Sequence, residues 1–277
     1  MRSTFAGILV ALACASTPSL AQTYLGTAQP FAVLGATAVT CVVASAVTGD
    51  LGISPNGAGS ITGYPVPPCT VSGTIHAADG VATTAQTDLV TAYNTLAALP
   101  CDANFTGQDL GSVGVLTPGV YCFNSSAQLT GTLTLNAQGN PAAAFVFKIG
   151  STLTTASGSI VNVINGGSAC GVSWQVGSSA TLGTTTSFEG NIVALTTITT
   201  NTGASVAGRA LARNGAVTLA GNASNACGAA FVGSGIPAAG LHGGAGIPTL
   251  SEWAMIVLAA LLAIAGFAAI RNQGRKG

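Results

Sequence analysis

SFEGNIVALTTITTNTGASVAGRALARNGAVTLAG, residues 187–221, is one pattern written twice. Placing Ser187 over Ser205 brings Gly190 over Gly208 and Ala194 over Ala212, an offset of 18 residues. A self-match at a short fixed interval is the mark of stacked coils. Gly, Asn and Ser divide each coil into short segments. SATLG (179–183), TTITT (196–200) and GAVTLAG (215–221) are versions of the first, TSFEG (186–190) and ASVAG (204–208) of the second, and NIVAL (191–195) and RALAR (209–213) of the third.

Neighbouring side chains of a strand point to opposite faces, which assigns directions within each segment. In the first segment Leu153, Leu182, Ile198, Val217 and Leu219 point inward, so Thr152, Thr154, Thr181, Thr197, Thr199 and Thr218 point outward, continued by Thr132 and Thr134 around Leu133. Coils stacked about 4.8 Å apart, with outward residues about 6.7 Å apart along each strand, would make these threonines a flat grid of hydroxyls and methyls. Thr is also favoured in strands for its own sake, and such a ladder would keep an exposed face soluble. The second segment turns Glu189 outward and reads as ordinary surface. In the third, Ile192, Val193, Ala194, Ala210, Leu211 and Ala212 are apolar on both sides, so that face needs a cover.

The cover is legible upstream. In TIHAADGVATTAQTDLVTAYNTLAALP, residues 74–100, apolar side chains at Ile75, Ala78, Ala82, Ala85, Leu89, Ala92, Leu96 and Leu99 follow steps of three and four. The spacing predicts an amphipathic helix over 75–99, about 37 Å long, stopped by Pro100.

Both ends of the chain look different from its middle. Residues 1–21 combine the basic Arg2, an apolar run to Ala15 and small residues at Ser19 and Ala21, as in a cleaved secretory signal peptide. Residues 22–230 would form the folded domain, 231–246 a Gly/Ala/Pro-rich linker containing His242, and 247–277 a tail. In the tail an uncharged apolar run, 254–270, precedes Arg271, Arg275 and Lys276, a pattern predicting a transmembrane helix with its basic end in the cytoplasm. Export also gives a role to Cys41, Cys69, Cys101, Cys122, Cys170 and Cys227, an even set of disulfide candidates. Sequence proximity favours Cys41 with Cys69, Cys101 with Cys122 and Cys170 with Cys227, and leaves other pairings open.

Only 5% of the 277 residues are charged. The domain's carboxylates, Asp50, Asp79, Asp88, Asp102, Asp109 and Glu189, are scattered, and only Glu189 lies in the repeating coils. Acid–base chemistry needs such groups gathered in one place, so the pattern argues against an enzyme. His76, near the helix start, reads as structural. Lys148, Arg209 and Arg213 are too few for a nucleic-acid interface. No zinc spacing, calcium-binding solenoid repeat or Walker pattern is present, and no cofactor is expected. Glycan or protein binding would favour aromatics on the ladder, and Trp174, in VSWQV, reads as packed.

From Leu25 to Cys227 the chain resembles the ice-binding-like domain of bacterial and fungal antifreeze proteins. LGTAQPFAVLG, VTGDLGISP, SGTIHAADGVA, LTPGVYCF, VSWQVGSSATLGTTTSFEGNIVAL and GRALARNGAVTL carry the likeness. The resemblance implies a mostly β fold, a discontinuous right-handed parallel β-solenoid of triangular cross-section with one long α-helix packed alongside. It also implies adsorption to an ice crystal surface through one flat face, inhibiting growth and recrystallisation. TGAS, 202–205, approaches a corner motif of some members, while TASG and TTTS depart further. The tail resembles the bacterial IPTL sorting domain, with Ile247, Pro248, Thr249, Leu250, Ser251, Glu252 and Trp253 matching its motif in order. That likeness implies an envelope sorting protease as partner, transient membrane contact, and a place at the bacterial cell envelope or outside the cell. The competing reading is a cell-surface structural or adhesion protein on the same scaffold without ice affinity.

Overall fold

The computed structural model describes residues 23–220 and 223–226. It is mostly β, and every pairing between its named strands is parallel. One sheet of seven strands runs in the order Ala127–Leu129, Leu153–Thr155, Ala180–Leu182, Ile198–Thr200, Val217–Ala220, Val39–Val43 and Ile61–Thr62. A second sheet of fifteen strands is folded in two along Ser187–Ala194 and Ser205–Ala212. The first half of Ser187–Ala194 pairs with Ile160, and the second half, from Asn191, pairs with Ser173–Val176.

Glycine makes that fold possible. Gly190 and Gly208 sit in register at the bend with φ of 122° and 151°. A Cβ on Gly208 would lie 2.0 Å from the Gly190 carbonyl oxygen, and one on Gly190 would lie 2.6 Å from Trp174 Nε1. Only a residue without Cβ fits either place.

The order of strands in space departs from their order in the chain. Along the face beneath the helix, strands climb from Ala103–Asn104 to the second half of Ser205–Ala212. Phe31–Gly35 then pairs onto Ala210 and Leu211, and Asp50–Ile53 and Ile75–Ala77 complete the stack. Residues 31–77 therefore extend a stack built mostly from residues 103–226. The helix Gly80–Ala98 carries the chain back along it.

Cores lie on both sides of that face. Inside, Trp174 is fully buried and stacks on Phe147 with ring centroids 4.0 Å apart, and Phe147 stacks on Tyr121 at 5.5 Å. The aromatic column follows the strand register, since Tyr121 pairs with Phe147 and Phe147 with Trp174. Outside, Ala85, Leu89, Ala92 and Leu96 of the helix bury against Val146, Val193, Leu211 and Leu34. Burial of Leu89 and Leu96 contributes roughly 2 kcal/mol each. Asp88 fastens the preceding segment to the helix, its Oδ2 accepting from the N–H and hydroxyl of Thr27, each at 2.7 Å.

Three expectations need correction. The helix starts at Gly80, so its 19 residues span about 28 Å. Ile75–Ala77 is a strand, Ala78 turns out of it with φ of 55°, and the Asp79 side chain caps the helix by accepting from Ala82 N–H at 2.8 Å. Thr132 and Thr134 belong to the fifteen-stranded sheet, in Thr132–Asn136, so they do not extend the seven-stranded one. Glu189 does point outward, on the side of Ser187, but is half-buried rather than ordinary surface, its Oε2 accepting from Val163 N–H at 3.1 Å.

Cys41 is bonded to Cys69 and Cys101 to Cys122. Cys170 is also disulfide-bonded, while Cys227 lies outside the described residues. The signal peptide, linker, sorting motif and apolar run 254–270 fall outside them too. Among the described residues no helix is long and apolar enough to cross a membrane.

Candidate functional site

The seven-stranded sheet alternates between inside and outside, except past Cys41, where a register shift leaves both Val42 and Val43 exposed. Leu153, Ala180, Ile198, Val217 and Val39 are fully buried and in register. One residue further along each strand, Gln128, Thr154, Thr181, Thr199, Thr218, Thr40 and Thr62 stand in one straight rank across all seven strands. Gln128, Thr154 and Thr62 are exposed, and the others are half-buried by their neighbours in the rank.

Thr154, Thr181, Thr199 and Thr218 thus stand together as the alternation places them. Thr152 and Thr197 precede their strands and are half-buried, with Thr152 Oγ1 donating to Ser126 Oγ at 2.8 Å. Sequence reasoning missed Gln128, Thr40 and Thr62. Thr40, in VTCVV, sits beside the apolar Val39 as Thr218 sits beside Val217, so the local signal existed. What hid it was the chain order, because nothing in the repeat announces that residues 39–62 dock onto 217–220.

Further threonines in these strands face inward. Thr155 Oγ1 lies 2.8 Å from Thr186 Oγ1 and accepts from Gly183 N–H at 2.8 Å, both within the interior. Thr200 is fully buried, with Oγ1 donating to Thr218 O at 3.4 Å. These hydroxyls join one coil to the next, and this helps hold the outer rank in one geometry.

Beyond the rank the chain turns a corner, and the corners are stacked as well. Thr130, Ser157, Thr184 and Thr202 each precede a residue of positive φ, namely Gly131, Gly158, Thr185 and Gly203. All four hydroxyl residues are exposed, and Thr184 Oγ1 donates to Ser157 Oγ at 2.7 Å.

Basic side chains are kept off this surface, and one carboxylate, Asp109, stands at the end of the rank. Arg209 is 2% exposed and its guanidinium donates to Gln29 O and Asn191 Oδ1, each at 2.8 Å. Arg213 lies over the Tyr93 ring of the helix, and Lys148 Nζ donates to Leu99 O. Asp109, half-buried, bridges to Gln128 at the end of the rank, with Oδ1 accepting from Gly111 N–H at 2.8 Å and Thr130 N–H at 3.0 Å. Burial pushes its pKa up, but those hydrogen bonds outweigh it and hold the carboxyl below its ordinary value.

His76 Nδ1 pairs with Asp79 Oδ2 at 2.7 Å beside the helix cap. Among the described residues no three His, Cys, Asp or Glu side chains stand close enough to hold a metal ion. A cleft of about 600 Å³ is open and lined by Gly26, Gln29, Thr48, Val81 and Arg209 among others. What this surface offers is a rigid, uncharged array of hydroxyls and methyls.

Known proteins share this fold. The chain is 56% identical over 174 residues to an ice-binding protein of Nostoc sp. (strain HG1), a match covering 63% of this chain and 62% of that protein's length. The crystal structure of an ice-binding protein from the Antarctic ascomycete Antarctomyces psychrotrophicus superposes with a TM-score of 0.70 at 35% identity, covering 74% of this chain and 98% of that one. An ice-binding protein from an Antarctic biological consortium gives 0.69 at 43% identity, covering 80% and 96%. The tail matches the IPTL-CTERM motif over residues 245–272. The Ice-binding-like family model matches residues 33–225, which takes in both sheets, the helix and the whole threonine rank from Thr40 to Thr218, and the chain belongs to that family.

Proposed function

We propose that this chain is an exported ice-binding protein that adsorbs to ice through the seven-stranded face and inhibits ice growth and recrystallisation. One observation carries the reading: an uncharged rank of six threonines and a glutamine stands in register across seven strands. Ice presents a periodic array of donors and acceptors with no charge to pair. A surface matching it gains little from any single contact, so many must form at once without an ordering cost. Threonines on a parallel sheet meet that need, since the β-branched side chain has few rotamers and the strand spacing is fixed. A charged group would hold its own hydration shell and oppose the ordering of water into a lattice.

In this reading the coils form a right-handed β-solenoid of triangular cross-section, with the ice-contacting face, a second open face and the helix-covered face as its three sides. The activity needs no catalytic group. Residues 1–21 direct export, 22–230 fold, and 231–246 link the domain to a sorting tail. Ile247 to Trp253 present the motif to an envelope protease, while 254–270 engages the membrane at least transiently. The match to the IPTL-CTERM motif supports a destination at the cell envelope or beyond it.

The test is thermal hysteresis and recrystallisation inhibition by the purified chain beside a Thr181→Tyr, Thr199→Tyr double variant. The parent should be active, and the variant should lose at least tenfold at equal concentration while keeping its circular dichroism spectrum. A well-folded parent with no activity would favour a surface structural or adhesion role.

A further inference from the structure

The fifteen-stranded sheet has a half that the helix does not cover. There Thr132 pairs with Ile160, Ile160 with Ser187, Ser187 with Ser205, Ser205 with Ala223, Ala223 with Ala46 and Ala46 with Thr70. This is a second straight rank across seven strands. The residues that follow them, Leu133, Val161, Phe188, Val206, Ser224 and Val47, are buried, so the rank lies on the outside. Thr132, Ile160, Ser187, Ala46 and Thr70 are exposed, and Ser205 is half-buried.

Its chemistry matches that of the first rank: small, uncharged, and divided between hydroxyls and methyls. Protein and glycan surfaces are recognised through aromatic or charged anchors, and the rank has neither. Glu189 is the one ionisable residue in the strand pairs of Ser187–Ala194 and Ser205–Ala212 on this side, and it is folded back onto Val163 N–H. Burial pushes its carboxyl up to about 7, outweighing the Val163 hydrogen bond, which favours the ionised form. The rank itself has no ionisable side chain, and Glu189 beside it loses its charge as pH falls through about 7.

Continuity with the first face supplies the occupant. In four adjacent coils the two ranks are joined by the stacked corners, whose exposed Thr130, Ser157, Thr184 and Thr202 keep the same chemistry around the edge. Backbone hydrogen bonds hold the corners in step, with Gly158 N–H donating to Thr184 O at 2.9 Å and Thr185 N–H to Thr202 O at 3.0 Å. Across these four coils an ordered, hydroxyl-lined surface runs from one rank to the other, while on the far side residues 63–69 form a loop with Val66 exposed.

We propose that the face carrying Thr132, Ile160, Ser187, Ser205, Ala46 and Thr70 is a second ice-contacting plane, joined to the threonine face across the hydroxyl-lined corner. The inference rests on the ice-binding reading of the first face and extends it: one molecule presents two flat surfaces at an angle and adsorbs to more than one family of crystal planes.

The experiment grows a single-crystal ice hemisphere in a solution of fluorescently labelled full-length chain and maps the planes that take up label. A Ser187→Tyr, Ser205→Tyr variant blocks the second face, Thr181→Tyr, Thr199→Tyr blocks the first, and Asn94→Tyr on the exposed side of the helix is the control. Thermal unfolding of each variant within a few degrees of the parent establishes folding, and Ser187→Lys, Ser205→Lys, which places charge on the same face, blocks it should the tyrosines unfold the chain. The expected result is that the second-face tyrosines erase one set of labelled planes and lower hysteresis two- to fivefold, the first-face tyrosines erase the other set, and Asn94→Tyr changes nothing. A parent that labels ice while the second-face variant gives the same map and the same hysteresis would overturn this inference and leave the first face standing. A parent that labels no plane would overturn the ice-binding reading itself, and this inference with it.

Discussion

Glu189 shows how one side chain couples the uncharged surface to stability. Its folded-state pKa of about 7 lies above the ordinary 4.5, with burial as the main cause. A carboxyl raised in this way binds more protons folded than unfolded between those values, so its contribution to stability is largest at acidic pH and is lost as pH rises through that window. Glu189→Gln should flatten the dependence and raise stability above pH 7 by roughly 2–3 kcal/mol. Urea unfolding of parent and variant at pH 5 and pH 8 checks this, and a parent equally stable at both would contradict it. Asp79, Asp88 and Asp109 act with the opposite sign. Backbone hydrogen bonds lead the lowering at Asp79 and Asp88 and overcome burial at Asp109, so their contribution is lost as pH falls through the carboxylate range. At this scale the alternation of Leu and Thr was readable from sequence, because it depends on strand geometry alone. The fate of Glu189 was hidden, because its partner Val163 comes from another coil.

At the scale of elements, the bend at Gly190 and Gly208 turns each eight-residue strand from the open half of its sheet to the covered half. Gly208→Ala would place Cβ 2.0 Å from a backbone oxygen that has no room to retreat. The expected cost is about 3 kcal/mol, from strain at a positive φ and displacement of the adjoining coil. A thermal unfolding curve superimposable on the parent's would contradict it. The repeat displayed these glycines openly, since Gly190 and Gly208 align at the 18-residue offset. The helix start was less legible. Apolar spacing ran on through Ile75 and Ala78 because a strand that ends at Ala77 happens to continue the phase, yet Asp79 is a favoured capping residue and marked the true boundary. Thr132 and Thr134 were misplaced for a related reason: alternation distinguishes in from out and says nothing of which face is meant.

For the whole molecule, the central fact is that two distant stretches of chain complete one surface. Thr218 and Thr40 are neighbours in the rank although 178 positions separate them, and Thr62 extends it further. Single-sequence patterns contain no trace of that junction, because register between distant strands is decided by the shared core and by the helix that returns the chain along the stack. The family resemblance implied a discontinuous stack, and the strand pairings show where it is joined. The family match and the uncharged rank together describe a protein suited to a periodic, uncharged surface.

Thermal hysteresis across a tyrosine walk along the rank, with Thr154, Thr181, Thr199, Thr218, Thr40 and Thr62 each replaced in the full chain and Asn94→Tyr as control, tests the central claim most directly. The account predicts loss at every position, several-fold at Thr181, Thr199 and Thr218 near the middle and smaller toward Thr62, with the control unchanged. Variants of Thr181, Thr199 and Thr218 that fold and retain the full activity of the parent would contradict it.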